Sequence, residues 1–454
     1  MTELKEDMRS PAGTAISSTA STDKDSGINQ DATQPQKGSK HLYEVDVIRV
    51  VTALCVIGVH VVAFALLGTT GPVGEFVQYA VKSSLHFTRE IFLSISAFVL
   101  VVVYGKRTLS AGTFWKKRGI GVLFPYVAWT YFYEQQKTNG MHLSPIQWTG
   151  GFLLDLVTGK ASYQLYFILL TLELYLILPW FLRFIKRFGS HPWRLLALSF
   201  ALQMVLFVWD FNYAQLPPFS NTTVGHLINV YQDNFLPVYQ FYLILGALAA
   251  LHLEQLRAFV IRHGVWTIAA LALSLALLLG NLWYQTYVTH LGLDYGSSVF
   301  QPAMPLYALS VSVFLYWLAY RWSISRAPGP PRGYKVWGLL SDISFGIYLL
   351  HVYILNRALI GFLGSLPSAW PAALRIFLLW VFVAGLTCVI CTVMLYTPGL
   401  SRLIGRPCAL PRDRGLGAWI SKLNLALEQQ LRRGSSKAWA LVAGATGSHH
   451  TLED

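Results

Sequence analysis

The chain has 454 residues, 54% of them hydrophobic and only 13% charged, against roughly 25% charged in an ordinary soluble protein. That composition excludes a soluble globular enzyme. Twelve charged residues lie in 1–45 and twelve in 398–454, leaving 33 for the intervening 352, so the formal charge of +13 has to be read by position.

Residues 1–40 contain no Phe, Trp or Tyr and are rich in Ser, Thr, Asp, Gln and Gly. Such a segment cannot bury enough apolar surface to offset the entropy of ordering, and residues 1–42 are read as a disordered tail. A bilayer core of ~30 Å needs about 20 apolar residues in a helix. Ten segments meet or approach this, at 46–67, 83–105, 118–135, 162–183, 193–210, 236–252, 264–286, 301–321, 339–361 and 373–396. The predicted fold is all-α, a polytopic integral membrane protein of about ten transmembrane helices. Its membrane domain spans 43–400, and a polar tail fills 401–454.

Loops rich in Lys and Arg are retained in the cytoplasm. Of the 35 Lys and Arg, 28 lie in the N-tail, in 106–118, 183–194 and 321–335, at Arg257 and Arg262, or after Pro398. The opposing loops 136–161, 211–235 and 287–300 hold only Lys137 and Lys160. Both termini are therefore expected in the cytoplasm of a cell-membrane protein, and the positive surplus marks topology, with no nucleic-acid partner. The aromatics of the long outer loops, such as Trp148, Tyr163 and Tyr231, suit an interfacial belt or a sugar-stacking surface. Cys55, Cys388, Cys391 and Cys408 form neither a disulfide framework nor a zinc spacing, and no metal is expected.

Ionisable groups at membrane depth are costly and mark pathways or sites. The first span holds Asp46, Arg49 and His60. Arg49 and His60 are eleven residues apart, about three turns plus 20°, with ~16.5 Å of rise, so they share one stripe. Asp46 lies three residues before Arg49, close enough to pair with it. A neutral imidazole at position 60 supplies both a proton acceptor and a donor near neutral pH. Arg89 and Glu90 are adjacent on the second span and point in different directions, which predicts partners on other helices or water. Glu173 and His351 each interrupt an apolar run and must find a partner.

These residues resemble the acyltransferase 3 family, polytopic membrane O-acyltransferases that decorate cell-surface glycans and related acceptors. The family's Arg-x10-His is matched by Arg49 and His60, and its preceding acidic residue by Asp46. Three further stretches are similar: Phe114-Trp-Lys116-Lys117-Arg118 leading to Pro125-Tyr126, Leu165-Tyr166-Phe167 leading to Tyr175, and Phe345-Gly346-Ile-Tyr348-Leu-Leu-His351. Ser96-Ala97 stands where many members have Ser-Gly, and the basic cluster lacks an Arg-x-x-Arg. The resemblance implies transfer of an acyl group, expected to be acetyl, from cytoplasmic acyl-CoA to a hydroxyl of a cell-surface glycan or lipid-linked saccharide. Acyl-CoA is then a co-substrate, with no further cofactor, and membrane lipid is the remaining partner. By the same resemblance His60 is catalytic and Arg49 and Asp46 support it. Lys116, Lys117, Arg118, Arg89, Glu90, Glu173, Tyr348 and His351 are the candidate substrate-binding residues. Two other classes fit isolated buried charges as well: a transporter or flippase of glycan or acyl groups, and a sensor without turnover.

Overall fold

The computed structural model describes residues 41–65, 71–105 and 110–409, without the side chains of Lys117 and Ile120. The expected tails up to residue 40 and beyond residue 409 lie outside the described residues. Among those described there is no β-strand.

Each long apolar run forms a helix, because in lipid every backbone N–H and C=O must be satisfied within the segment. In chain order these are α1 (Tyr43–Phe64), α2 (Gly71–Leu85), α3 (Thr88–Tyr104) and α4 (Ile120–Lys137). Next come α5 (Pro145–Thr158), α6 (Tyr166–Phe188), α7 (Pro192–Trp209) and α8 (Thr223–Tyr231). The set ends with α9 (Gln240–Leu251), α10 (Leu253–Tyr287), α11 (Ala303–Ser323), α12 (Tyr334–Ile360) and α13 (Ala372–Tyr396).

Among the described residues, eight helical segments are long and apolar enough to cross a membrane, or nine when the bent pair Thr223–Asn234 and Leu236–Leu251 counts as one span. The protein is therefore a multi-pass membrane protein. The expected span at 118–135 corresponds to α4, an 18-residue helix whose C-terminal part, Glu134-Gln135-Gln136-Lys137, is polar. Outward faces are apolar, as lipid requires: only 22% of the apolar window in α10 is buried inside the protein.

Helix α1 is the axis. It packs against α2, α3, α11, α12 and α13. Ile48 joins a core built on α3, α6, α9 and α11, whereas Ala53, Ile57 and Val61 join a second core built on α4, α12 and α13. The stripe carrying Arg49 and His60 therefore runs where the two cores meet. Apolar lipid provides no hydrophobic drive for helix association, so close packing of small residues takes over. Gly246 of α9 lies against the Ser94 backbone of α3, where any Cβ would collide with the Ser94 carbonyl. The Ser94 hydroxyl donates to the Tyr242 carbonyl at 2.9 Å and fastens the same crossing.

The bent pair turns by 61° around Phe235. Pro237 lacks an N–H and so cannot carry helical hydrogen bonding back across the break, and Phe235 is extended, with φ −106° and ψ 103°. The backbone groups freed by the break are met by side chains. Glu173 of α6 accepts from the Leu236 N–H at 3.1 Å, and Gln203 of α7 donates to the Val238 carbonyl at 2.8 Å. Irregular backbone at membrane depth persists only with such partners.

The packed helices extend past residue 400. The Leu400–Leu403 turn places the Leu403 carbonyl where Trp129 of α4 donates to it at 2.9 Å, and Ile404 is fully buried.

Candidate active site

Four helical turns of apolar sequence carry His60 to the far end of α1 from the chain's start, where its ring borders a cavity of about 120 Å³. His86, Arg89, Tyr163, Gln164 and Tyr348 contribute to the same wall. The Tyr163 ring centroid is 4.7 Å from that of His60. His351 of α12 stacks on His60 with centroids 5.3 Å apart and planes 24° from parallel. At about 30 Å³ per water, the cavity has room for roughly four waters, or for one acyl carbonyl and one attacking hydroxyl.

His351 is fully buried. Its Nδ1 lies 3.1 Å from the Ile347 carbonyl, which can only accept, so Nδ1 carries the proton and Nε2 keeps a lone pair. That Nε2 has no hydrogen-bond partner. Tyr348, one turn back, donates its phenol hydrogen to the Gln164 carbonyl. This bond ties α12 to the segment preceding α6.

At the other end of the α1 stripe, Asp46 and Arg49 meet α12 through a shared hydroxyl. Ser341 donates to Asp46 Oδ1 at 2.7 Å and accepts from the Arg49 guanidinium at 3.2 Å. The Tyr334 hydroxyl donates to Asp46 Oδ2 at 3.2 Å. The direct Asp46–Arg49 separation is 3.9 Å, so the spacing of three residues does pair them, with Ser341 as the tighter link. Arg49 does not border the His60 cavity; it stands about 16.5 Å of helix rise away on the same stripe.

Arg89 and Glu90 differ from the expectation of separate partners. The arginine stem is long enough to curl back, and its Nε and one terminal nitrogen donate to Glu90 Oε1 at 3.3 and 3.2 Å. The remaining terminal nitrogen meets Asp233 at 2.6 Å, beside the helix break. The guanidinium also lies over the Tyr239 ring at 4.8 Å, so a fully engaged cation forms one side of the cavity. Glu90 is wholly buried and does not itself border the cavity.

The other candidates are dispersed. Glu173 serves the Leu236 N–H, away from the cavity. Lys116 is exposed, and Arg118 Nε donates to the Tyr104 hydroxyl at 3.1 Å. The Lys117 side chain lies outside the described residues. The turn carrying these cations is anchored by Trp115, whose indole donates to the Tyr175 carbonyl of α6 at 2.9 Å. Among the described residues, no three His, Cys, Asp or Glu side chains converge as metal ligands.

Four residues at or beside the site have only weak signals in the sequence. Tyr163 reads as a belt aromatic, and His86 is one polar residue in an amphipathic stretch. Gln164 and Asp233 lie in loop sequence where polar residues are ordinary, and only the fold brings them to His60 and Arg89.

A family model described as an acyltransferase domain matches residues 42–397. No curated protein and no solved structure matches the chain.

Proposed function

The chain belongs to the acyltransferase 3 family, and from that premise we propose that it moves an acetyl-sized acyl group from cytoplasmic acyl-CoA to a hydroxyl of a cell-surface glycan or lipid-linked saccharide. The observation that carries this reading is His60 at the wall of a small cavity lined by aromatic and polar side chains.

In this reading both termini are cytoplasmic and the protein resides in the cell membrane. The CoA phosphates dock against Lys116, Lys117 and Arg118, where clustered cations favour them. The flexible arm of CoA then runs along α1 past Arg49, whose charge faces the donor while Asp46 and Ser341 fix its position. His60 takes the proton of the acceptor hydroxyl as that oxygen attacks the thioester carbon. The aromatic wall offers Tyr163 and Tyr348 as surfaces for the acceptor.

The test is transfer from labelled acetyl-CoA in membranes carrying the protein. His60→Ala should reduce incorporation at least 100-fold, in keeping with a lost general base, while the protein inserts normally. Incorporation at the wild-type rate would refute the assignment.

A further inference from the structure

Between α7, α9, α10 and α11 lies a groove of about 500 Å³ that shares no residue with the His60 cavity. Leu245, Leu309 and Val313 line its apolar part, while His252, Gln255 and His263 gather at the end where α7 and α10 begin. Trp193 and Trp266 border it and are 77% and 71% exposed, so the groove opens sideways to lipid. Exposed tryptophans suit the membrane interface, where an amphipathic ring meets both water and chains.

Cations surround the polar end. Arg194 follows Trp193 in the first turn of α7. Arg262 shares a stripe of α10 with the wall residues Gln255, Phe259 and Trp266, from which it is spaced by three, four or seven positions. Arg187 stands two residues before Gly189, whose carbonyl is 2.9 Å from His252 Nε2. All three arginines are exposed. The acids nearby are engaged elsewhere, since Glu254 and Glu44 both hold Arg257, at 2.8 and 2.7 Å. The first-turn N–H groups of α7 have no side-chain cap, and that helix end carries partial positive charge.

We infer that this groove binds one anionic phospholipid, its phosphate at Arg194 and Arg262 beside the start of α7 and one acyl chain along Leu245, Leu309 and Val313. Basic recesses between membrane helices hold anionic head groups in this way. Charge selects the lipid. A zwitterionic head group brings an ammonium that meets only cations here, whereas phosphatidylglycerol brings a phosphodiester and two hydroxyls, for which Gln255 and His263 offer hydrogen bonds. The bound lipid bridges four helices and exists only with the folded groove, so it also stabilises the fold. The inference stands apart from the acyl-transfer reading, and its test needs no turnover.

The full chain, delipidated in detergent, is titrated with palmitoyl-oleoyl phosphatidylglycerol or with the matching phosphatidylcholine. Native mass spectrometry counts bound lipid, and the lipid-induced rise in melting temperature is a second readout. Phosphatidylglycerol should bind at least about tenfold tighter than phosphatidylcholine. Arg194→Gln with Arg262→Gln should bring the two lipids within about threefold of each other. Ala270→Trp fills the groove and leaves every cation in place; it should weaken phosphatidylglycerol about tenfold. Arg321→Gln with Arg326→Gln removes the same charge from another loop and should bind as the unmodified protein does. All five positions are exposed, so these variants should fold. Equal affinity of the unmodified protein for both lipids would overturn the site. Loss of selectivity in the Arg321 and Arg326 variant would reduce it to net charge, and undiminished binding by Ala270→Trp would show that the groove takes no part; either result overturns the inference.

Discussion

His351 has one ring nitrogen bonded to the Ile347 carbonyl and the other bare in a fully buried setting. An apolar ring of similar shape removes that unsatisfied atom and keeps a surface for His60 to stack on. His351→Phe should therefore leave thermal stability unchanged or raise it by up to about 1 kcal/mol. Transfer should nevertheless fall at least tenfold if Nε2 serves the site through a water or a substrate hydroxyl. A melting curve and a rate on one preparation check both halves. Equal activity would make His351 a packing residue. Membrane depth singled out His60, Arg49 and Asp46, because an ionisable group in apolar sequence is conspicuous. Gln164 was invisible by the same logic, since a glutamine between loop and helix costs nothing until the fold buries it.

Among the elements, the α3–α9 crossing is the most exacting. Gly246 faces the Ser94 backbone, which cannot step aside as a flexible side chain would. Gly246→Leu should destabilise by about 1–3 kcal/mol or more, seen as a lower melting temperature in detergent. Gly385→Ala, where nothing lies within 4 Å of the added Cβ, is the control and should be neutral or slightly stabilising. The sequence located the ten long apolar helices, because such a run leaves the backbone no other solution in lipid, but not α2, α5 or α8, which lie mainly in stretches read as loops. It did not reveal that one span is broken at Phe235. The local cue is a single Pro237, and the compensating partners, Glu173 and Gln203, come from α6 and α7. Glu173 was expected to need a partner, and it has one. That partner is a backbone N–H, which no side-chain pattern announces.

For the whole molecule, the distribution of basic residues sets the expected orientation. Asn139→Cys, in the turn after α4, should react with a membrane-impermeant maleimide added outside intact cells. Ser325→Cys, just beyond α11, should react only after the cells are opened; both positions are exposed. These variants belong in a background lacking the native cysteines. Reversed labelling would overturn the orientation and, with it, the cytoplasmic origin of the acyl donor. The order of helices along the chain was readable from hydropathy. Their arrangement around α1 was not, since lipid-facing and buried helix faces are both apolar and periodicity fades.

Helix α1 is braced to α12 twice, through Ser341 and Tyr334 at one end and through the His60–His351 stack at the other. Two fastenings about 21 Å apart along α1 resist both tilt and slide, so this pair keeps a fixed register. The broken span at Phe235 is held elsewhere, to α3, α6 and α7: Asp233 meets Arg89, Glu173 takes the Leu236 N–H and Gln203 the Val238 carbonyl.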